Sequence, residues 1–414
     1  MPQAPWKIRI SADGNGTLAA VHTTIELVNR AFLLDGLVGF DGGYAGVAVD
    51  AVSFFSIDIS NPSSARLLNI VYGPSGEDGW YSYDGQAASQ NAGRPDRWLG
   101  AIATEDWDTS ETYRLELYLV DNAGTIIDSS FPISVGFFAN TMPFSTKVYR
   151  WGDDNLVLFS GYDSLSESDA TFGMVVSTDG DGITAGNAQL IVSNTMPHYQ
   201  FAEVSDTQGA VCVKNRDSVN AQIVNVTRSG LTMSVGAGSS FDSEDGFING
   251  MAHHAGGVYV VGHERYSGVG DGYRVTAVSP GSGVVAALVL PSAGGSPYLN
   301  HTRGNYTGDH TVRHADGYAT VTTDIGGTYA DVFQFDGSSF TSTRTITGVA
   351  PTIFGRESLR TVRLPSGWLT VWHDRYLLWA PDFTSVLAQG DFAGIRTFFL
   401  PTQLPDVYGL SPEG

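Results

Sequence analysis

The sequence predicts an all-β protein in which an N-terminal β-sandwich is followed by a β-propeller. Two observations predict this fold. Apolar and polar residues alternate with period 2 before about residue 144, and after it a unit of about 50 residues recurs five times. The composition agrees, since the 414 residues include 50 Gly, 21 Phe and 18 Tyr, as expected for many short strands joined by tight turns.

The repeated unit is an apolar strand, a tight turn, a Gly and a second strand rich in β-branched or aromatic residues. The Gly of the four clearest copies stands at Gly209, Gly257, Gly317 and Gly367. In the first copy Asn155 takes its place, and Asn is the non-Gly residue that best tolerates positive φ in a turn. A period of about 50 residues with strand-like content is typical of propeller blades.

Each copy is long enough for four strands. In the fourth copy we predict them at residues 309–314, 317–323, 328–335 and 339–346. Connections this short make neighbouring strands antiparallel, and four-stranded sheets arranged in a ring leave only short edges. The prediction is a propeller over residues 145–400, most simply with five blades, followed by a C-terminal tail at 401–414.

Residues 1–144 are predicted to form the sandwich. Strand-like alternation occurs at residues 6–10, 55–59 and 113–119, while residues 18–33 fit either a strand or an amphipathic helix. Their Val, Thr and Ile content favours the strand. Turn residues and Pro143 interrupt the strand pattern between residues 139 and 146, where we place the domain boundary.

Aromatic residues cluster in and beside a polar segment at residues 73–98, which we predict to be a long loop. Loops longer than about 12–15 residues are usually functional or mobile. Tyr and Trp rings can stack on sugars, although they are also common inside β-sandwiches. The candidate ligand-binding residues are Trp80, Tyr81, Tyr83, Trp98 and Trp107.

One acidic residue ends the second strand of each repeat. The set is Asp163, Asp217, Glu264, Asp324 and Asp374. At one face of a ring these carboxylates could hold cations or sugar hydroxyls. We favour the alternative, in which each caps its own turn through local hydrogen bonds.

Composition excludes several classes of function. The net charge is −21, which disfavours nucleic acid and anionic membranes as partners. Cys212 is the only cysteine, so no intrachain disulfide forms and a buried thiol is expected. The first residues lack the apolar stretch of a signal peptide, and no apolar run approaches the about 20 residues that span a bilayer. We expect synthesis in a cytoplasm and no membrane insertion.

No catalytic residue, metal site or cofactor is predicted. Six His residues lie between residues 253 and 314, but His310 and His314 would be about 13 Å apart on a strand, too far to share a zinc ion. Residues 177–184 resemble the Asp-box turn of sialidase-like propellers, which implies a structural hairpin between outer strands. A sialidase-like or other polysaccharide-cleaving glycosidase is the alternative function, and it would need two carboxylates about 5–9.5 Å apart.

Two resemblances suggest a biological role. Trp6 and the run Ile25-Glu26-Leu27 resemble the opening of discoidin-like (galactose-binding-like) jelly rolls. The acidic, cysteine-poor chain as a whole, a sandwich joined to a propeller, resembles phage virion components. This resemblance implies a non-enzymatic structural protein of a tail fibre, tail tip or head fibre, with a propeller displayed for host attachment.

The same resemblance implies where the protein acts and with what. Its location would be the virion, and its partners would be tail, baseplate or capsid proteins together with a host surface polysaccharide or receptor. Many copies per particle are implied, with a homotrimer as one arrangement. The recognition segments would be residues 163–170, 214–219, 264–272 and 302–308. A purely structural decoration or adaptor protein is the second alternative.

Overall fold

The computed structural model of the protein describes strands and turns between residues 8 and 391. The described residues are 8–9, 17–21, 31–34, 37–40, 53–58, 66–72, 80–84, 88–90, 97–106, 113–121, 126–135, 141–163, 168–178, 180–193, 198–214, 219–243, 248–265, 272–290, 311–324, 327–347, 360–364, 367–372 and 375–391. Their regular structure is β-strand apart from one 3-10 turn at Ala255–Gly257. In this part of the chain no helix has the length and apolar character needed to cross a membrane.

Among the described residues, eleven strands precede residue 136. They are β1 Ile8–Arg9, β2 Thr17–Val21, β3 Ala31–Leu34, β4 Leu37–Phe40, β5 Ser53–Asp58, β6 Arg66–Tyr72, β7 Trp80–Asp84, β8 Ala88–Gln90, β9 Arg97–Asp106, β10 Tyr113–Asp121 and β11 Ile126–Val135. Strands β1, β2, β5 and β6 form one sheet, and β3 pairs with β4. Strands β7 to β11 form a second sheet in the order β11-β10-β9-β7, with β8 also paired to β9. We call this second one the flanking sheet.

Five further sheets, here called blades 1 to 5, follow in chain order. Blade 1 is β12 Thr141–Trp151, β13 Asp154–Asp163, β14 Ser168–Ser177, β15 Thr184–Ala185 and β16 Gln189–Ser193. Blade 2 is β17 His198–Ser205, β18 Gln208–Lys214, β19 Asn220–Ser229 and β20 Thr232–Asp242. Blade 3 is β21 Ile248–His253, β22 Tyr259–Arg265, β23 Gly272–Ser279 and β24 Gly283–Val289.

Blades 4 and 5 complete the set. Blade 4 is β25 Thr311–His314, β26 Gly317–Asp324, β27 Gly327–Phe335 and β28 Phe340–Thr347. Blade 5 is β29 Arg360–Leu364, β30 Gly367–Trp372, β31 Arg375–Trp379 and β32 Val386–Asp391. The four strands predicted for the fourth copy are those of blade 4, each within two residues at either end.

The blades pack side by side as in a β-propeller. The first strands of consecutive blades are in contact, from β12 to β17, β21, β25 and β29. The fourth strands are largely exposed, as in β20 and β24. First strands near a common axis and fourth strands at the rim are the geometry of propeller blades. The prediction of an all-β chain with a propeller is therefore confirmed.

Apolar cores fill the spaces between consecutive blades. Between blades 1 and 2, for example, Trp151 and Leu156 meet Phe201 and Val211. Because the middle strands are covered on both faces, they consist of nearly continuous apolar runs. Residues 209–214 of β18 are buried without interruption, and Cys212 lies among them, which confirms the expected buried thiol.

The flanking sheet packs on blade 1. Strands β7, β8 and β9 contact β12, and one core cluster joins Leu115 and Leu117 of β10 to Val148 and Phe159 of blade 1. Read from β7 to β11, neighbouring strands of this sheet follow one another in chain order, as the strands of the blades do. A separate N-terminal sandwich and a count of five blades both stay predictions.

Strand β12 begins inside the predicted boundary segment 139–146. The predicted interruption at Pro143 is absent. Pro143 lies within β12 and pairs with Gly161, where the register shifts. Proline lacks an N–H, and strands tolerate it at such irregularities. The helical alternative for residues 18–33 finds no support among the described residues 17–21 and 31–34, which are strands. Trp6, Ile25-Glu26-Leu27 and the tail 401–414 lie outside the described residues.

The repeat position lies in a strand and not in a turn at four of the five copies, Asn155, Gly209, Gly317 and Gly367. Gly367 begins β30 with φ 151°, and a Cβ there would lie 1.8 Å from the carbonyl oxygen of Trp379. The side chain is therefore excluded by a neighbouring strand. Asn155 is not a positive-φ residue. It lies inside β13, where its Nδ2 donates to the Val176 carbonyl at 3.4 Å, and Gly152 with φ 60° makes the turn instead.

Candidate functional site

The strand directions divide the connections of the blades between two faces. One set joins first to second and third to fourth strands, as at residues 152–153, 206–207, 230–231 and 280–282. We call the face that carries them the turn face. The other set joins second to third strands and one blade to the next, and we call its face the loop face. The second and fourth strands end at this face, and the third strands begin there.

On the turn face, Arg228 of blade 2 is bonded to blade 1. Its Nη1 pairs with Asp154 Oδ2, and its guanidinium carbon lies 5.6 Å from the centre of the Trp151 ring. Trp151 Nε1 in turn donates to the Ser205 carbonyl of blade 2 at 3.0 Å. These contacts join the two blades where both first strands end.

A similar clamp joins blade 1 to the flanking sheet. Nε and Nη2 of Arg97 donate to Asp181 Oδ1 at 3.0 and 2.8 Å, and Asp128 Oδ2 accepts from the Ile183 backbone at 2.8 Å. Asp181 and Ile183 belong to the segment that resembles an Asp-box. Val176 pairs with Ala185, so the implied hairpin between outer strands is present and its contacts here are structural.

Blades 3 and 4 meet on the turn face through histidines. His254 Nδ1 and the Tyr318 hydroxyl are 2.9 Å apart, and Arg313 Nη1 donates to the His253 carbonyl at 2.7 Å. Partial burial lowers the pKa of His254, helped by the charges of Arg313 and His253 and opposed by Asp336. Burial raises the pKa of Tyr318 to about 12.

Nearer the axis, three polar side chains connect blades 1 and 2. Lys147 Nζ donates to the Tyr149 hydroxyl at 3.3 Å, and that hydroxyl donates to Gln200 Oε1 at 3.1 Å. Gln200 is 2% exposed, and its Nε2 has no partner among the described residues. This amide N–H can donate a hydrogen bond to an acceptor that enters from the axis, such as an ordered water.

A second set of buried polar side chains lies where blades 2 and 3 approach the loop face. Lys214 ends β18 and is fully buried, as is His263 near the end of β22. His263 Nε2 is 3.0 Å from Thr276 Oγ1, and its ring meets Phe241 edge-on at 6.3 Å. Burial raises the pKa of the nearby Cys212 thiol, which makes it a poor nucleophile.

These polar residues were not among the predicted site residues, although the sequence contains a signal for them. The chain has Lys only at positions 7, 147 and 214, and the two described lysines are both buried. A lysine within an apolar strand, in a chain whose other basic residues are all Arg, is such a signal.

The acidic set falls partly within the described residues. Asp163 and Asp324 end β13 and β26, and Glu264 is the penultimate residue of β22. All three strands run toward the loop face. Asp217 and Asp374 lie outside the described residues. The choice between turn capping and ligand binding stays a prediction.

The aromatic set lies in strands, so the predicted loop at residues 73–98 is wrong. Trp80, Tyr81 and Tyr83 belong to β7, and Trp98 belongs to β9. Tyr and Trp favour strands, and here pairing with β9 prevails over the turn-forming Gly, Ser and Asp around them. Trp107 lies outside the described residues, and sugar contact by this set stays a prediction.

Within the described residues no group of three or more His, Cys, Asp or Glu side chains could hold a metal ion. His314 is buried, with its ring 5.8 Å from that of Phe383. His301 and His310 lie outside the described residues.

Comparison with known proteins gives similarity of fold alone. No protein-family model and no curated protein sequence matches the chain. Among solved structures, Sqt1 of Chaetomium thermophilum is 12% identical, with 93% of this chain and 89% of that chain covered at a TM-score of 0.48. The Dos1 propeller is 11% identical, with 95% and 88% covered at 0.45. An apocarotenoid oxygenase from Synechocystis is 10% identical, with 97% and 94% covered at 0.47.

Proposed function

We propose that the protein is a non-enzymatic recognition module whose loop face binds a cell-surface glycan, displayed in many copies on a phage or phage-like particle. The observation that carries this proposal is the difference between the two faces. Side-chain bonds join neighbouring sheets across the turn face, at Arg97, Arg228 and Arg313. Strands β24 and β28 end at the loop face, and β25 and β29 begin there. The longest stretches of sequence between strands of the blades, residues 290–310 and 348–359, separate these strand ends. A rigid scaffold that carries variable loops on one face is a common arrangement for binding.

The composition of residues 291–310 supports recognition. The segment reads Pro-Ser-Ala-Gly-Gly-Ser-Pro-Tyr-Leu-Asn-His-Thr-Arg-Gly-Asn-Tyr-Thr-Gly-Asp-His. Tyr supplies contact area at low conformational cost, and Ser, Gly and Asn supply adaptable hydrogen bonds, which is the composition of binding loops in antibodies. The predicted recognition segment 302–308 lies within it.

Display on a particle accounts for how a weak site could hold a cell. Linked copies turn later binding events into intramolecular ones, which raises avidity by about 10²–10⁴-fold without new contacts. The partners on the particle would be tail, baseplate or capsid proteins. The net charge of −21 keeps such copies soluble and away from nucleic acid.

The test is binding of the purified full chain to host capsule and lipopolysaccharide, measured on immobilised polysaccharide. Tyr298→Ala with Tyr306→Ala should reduce affinity at least about tenfold, as truncation of aromatic anchors does at interfaces. Ser282→Ala, at an exposed turn-face position, is the control and should bind as the wild type does.

Each other outcome identifies another class of function. New reducing ends released from the polysaccharide would establish a glycosidase and overturn the proposal. Absence of both retention and cleavage, for all host polysaccharides, would leave the structural adaptor role. Retention that the Tyr298 and Tyr306 substitutions do not alter would exclude residues 291–310 as the binding segment.

A further inference from the structure

The outermost strand of blade 3 differs from the other outermost strands. Strand β24 reads Gly-Val-Val-Ala-Ala-Leu-Val, with no side chain that carries a charge or forms a hydrogen bond. Strands β20, β28 and β32 each include an Asp or Arg together with Ser, Thr or Gln, and the uncharged β16 of blade 1 includes Gln189 and Ser193. Three valines of β24 are exposed, Val284 at 50%, Val285 at 39% and Val289 at 51%.

Edge strands of soluble proteins are usually protected from pairing with other chains. Charged residues, Pro and β-bulges are the common devices, because an edge presents unpaired N–H and C=O groups. In β24 the register shifts between the partners of Ala277 and Val278, and beyond that shift Ala286 to Val289 pair regularly with β23. The bulge therefore protects only the beginning of this strand.

We propose that β24 is the contact strand of a homodimer, in which it pairs antiparallel with β24 of a second copy. The chain carries a net charge of −21, so two copies repel each other over most of their surfaces. A strand without charge is where that repulsion is weakest. A basic partner would instead favour an acidic edge, which β24 does not offer.

The sequence of β24 is complementary to itself about a two-fold axis. With the axis at Ala287, residue 287 lies opposite its own copy and Val285 lies opposite Val289. Side chains opposite each other on antiparallel strands share a face, so Val285 and Val289 of one copy meet Val289 and Val285 of the other. An isologous contact of this kind closes at two copies.

The contact is small, so the dimer should be weak. With the axis at Ala287, residues 285–289 of each copy overlap, and five residues per copy bury less than the about 1,200–2,000 Å² of a standard stable interface. Association is therefore expected at high micromolar concentration or where copies are concentrated on a larger assembly. The inference concerns the blade 3 rim and does not depend on what the loop face binds.

Analytical ultracentrifugation of the full chain tests the dimer. The weight-average mass should rise from one chain toward two between about 1 and about 500 μM, the range of weak interfaces. Val285→Lys with Val289→Lys should abolish the rise, because it places four like charges across the contact. Leu387→Lys, on the outermost strand of blade 5 and 53% exposed in the native protein, is the matched control and should dimerise as the wild type does.

A cysteine placed on the axis tests the register. Cys212 is buried, so in Ala287→Cys the introduced thiol is the accessible one, and oxidation should give a covalent dimer. Antiparallel Cα atoms about 4.5–5.5 Å apart fit a disulfide. Leu387→Cys should remain largely monomeric under the same oxidation. A wild type that stays monomeric throughout, a mass that rises beyond two chains, or equal cross-linking of both variants would overturn the proposal.

Discussion

The guanidinium of Arg228 pairs with the carboxylate of Asp154 across the junction of blades 1 and 2, over the face of Trp151. Both side chains are largely shielded, at 8% and 19% exposure. The same guanidinium donates to the Asp206 carbonyl at 2.5 Å. One arginine thus bonds to the beginning of β13 in blade 1 and to the first-to-second-strand turn of blade 2. Its substitution therefore tests how much contacts on the turn face contribute to stability.

Arg228→Met should destabilise the protein by about 2–4 kcal/mol. The substitution leaves Asp154 shielded and unpaired, and removing one partner of a buried pair costs more than the pair contributes. The free energy of unfolding in urea measures the effect. Arg97→Met is the matched control, since its partner Asp181 is 61% exposed and such pairs contribute at most about 1 kcal/mol. Equal losses in the two variants would contradict the argument.

The arrangement of strands was predictable from the sequence where local rules determine it. Blade 4 has tight turns flanked by alternating residues, and its strands were predicted nearly to the residue. The loop predicted at residues 73–98 failed because the partner of β7 is β9, and nothing local to Trp80 or Tyr81 reveals that pairing. The contact of Tyr149 with Gln200 joins residues 51 positions apart on different blades, which a single sequence does not show.

His254 should make the junction of blades 3 and 4 sensitive to acid. Its pKa is lowered in the folded protein, so the unfolded chain binds the proton more readily. The contribution of His254 to stability is therefore complete above its unfolded pKa of about 6.5, and it is lost as the pH falls through that value toward the folded pKa.

His254→Gln removes the titration and keeps a side chain that can bond to Tyr318. Between pH 7.5 and 5.5 the wild type should lose more unfolding free energy than this variant does. Arg313, His253 and Asp336 are present in both proteins, so the two differ only at position 254. Parallel pH profiles for the two proteins would show that His254 does not carry the sensitivity.

Residues 141–414 should not fold without the flanking sheet. Leu99, Leu115 and Leu117 share one core with Val148 and Phe159, and each large apolar side chain that loses its cover costs about 1.5–3 kcal/mol. The loss of several of these contacts is comparable with the about 5–15 kcal/mol that stabilises a typical domain. Circular dichroism and the binding of a hydrophobic dye should be compared between the fragment 141–414 and the fragment 80–414, which keeps the flanking sheet. A fragment 141–414 with a cooperative transition would instead support two separate domains.

Tyr149 and Gln200 should be coupled, since the tyrosine hydroxyl donates to a buried amide oxygen. Tyr149→Phe removes the donor and leaves Gln200 Oε1 without it, at a cost of about 1–3 kcal/mol. Gln200→Leu should cost a similar amount, because the hydroxyl keeps only its longer contact, at 3.4 Å, with the Tyr199 carbonyl. The double variant should cost less than the sum, since replacing both partners by apolar groups leaves neither of them unpaired. Unfolding free energies that add to within about 0.3–0.5 kcal/mol would show that the two groups act independently at the axis of the propeller.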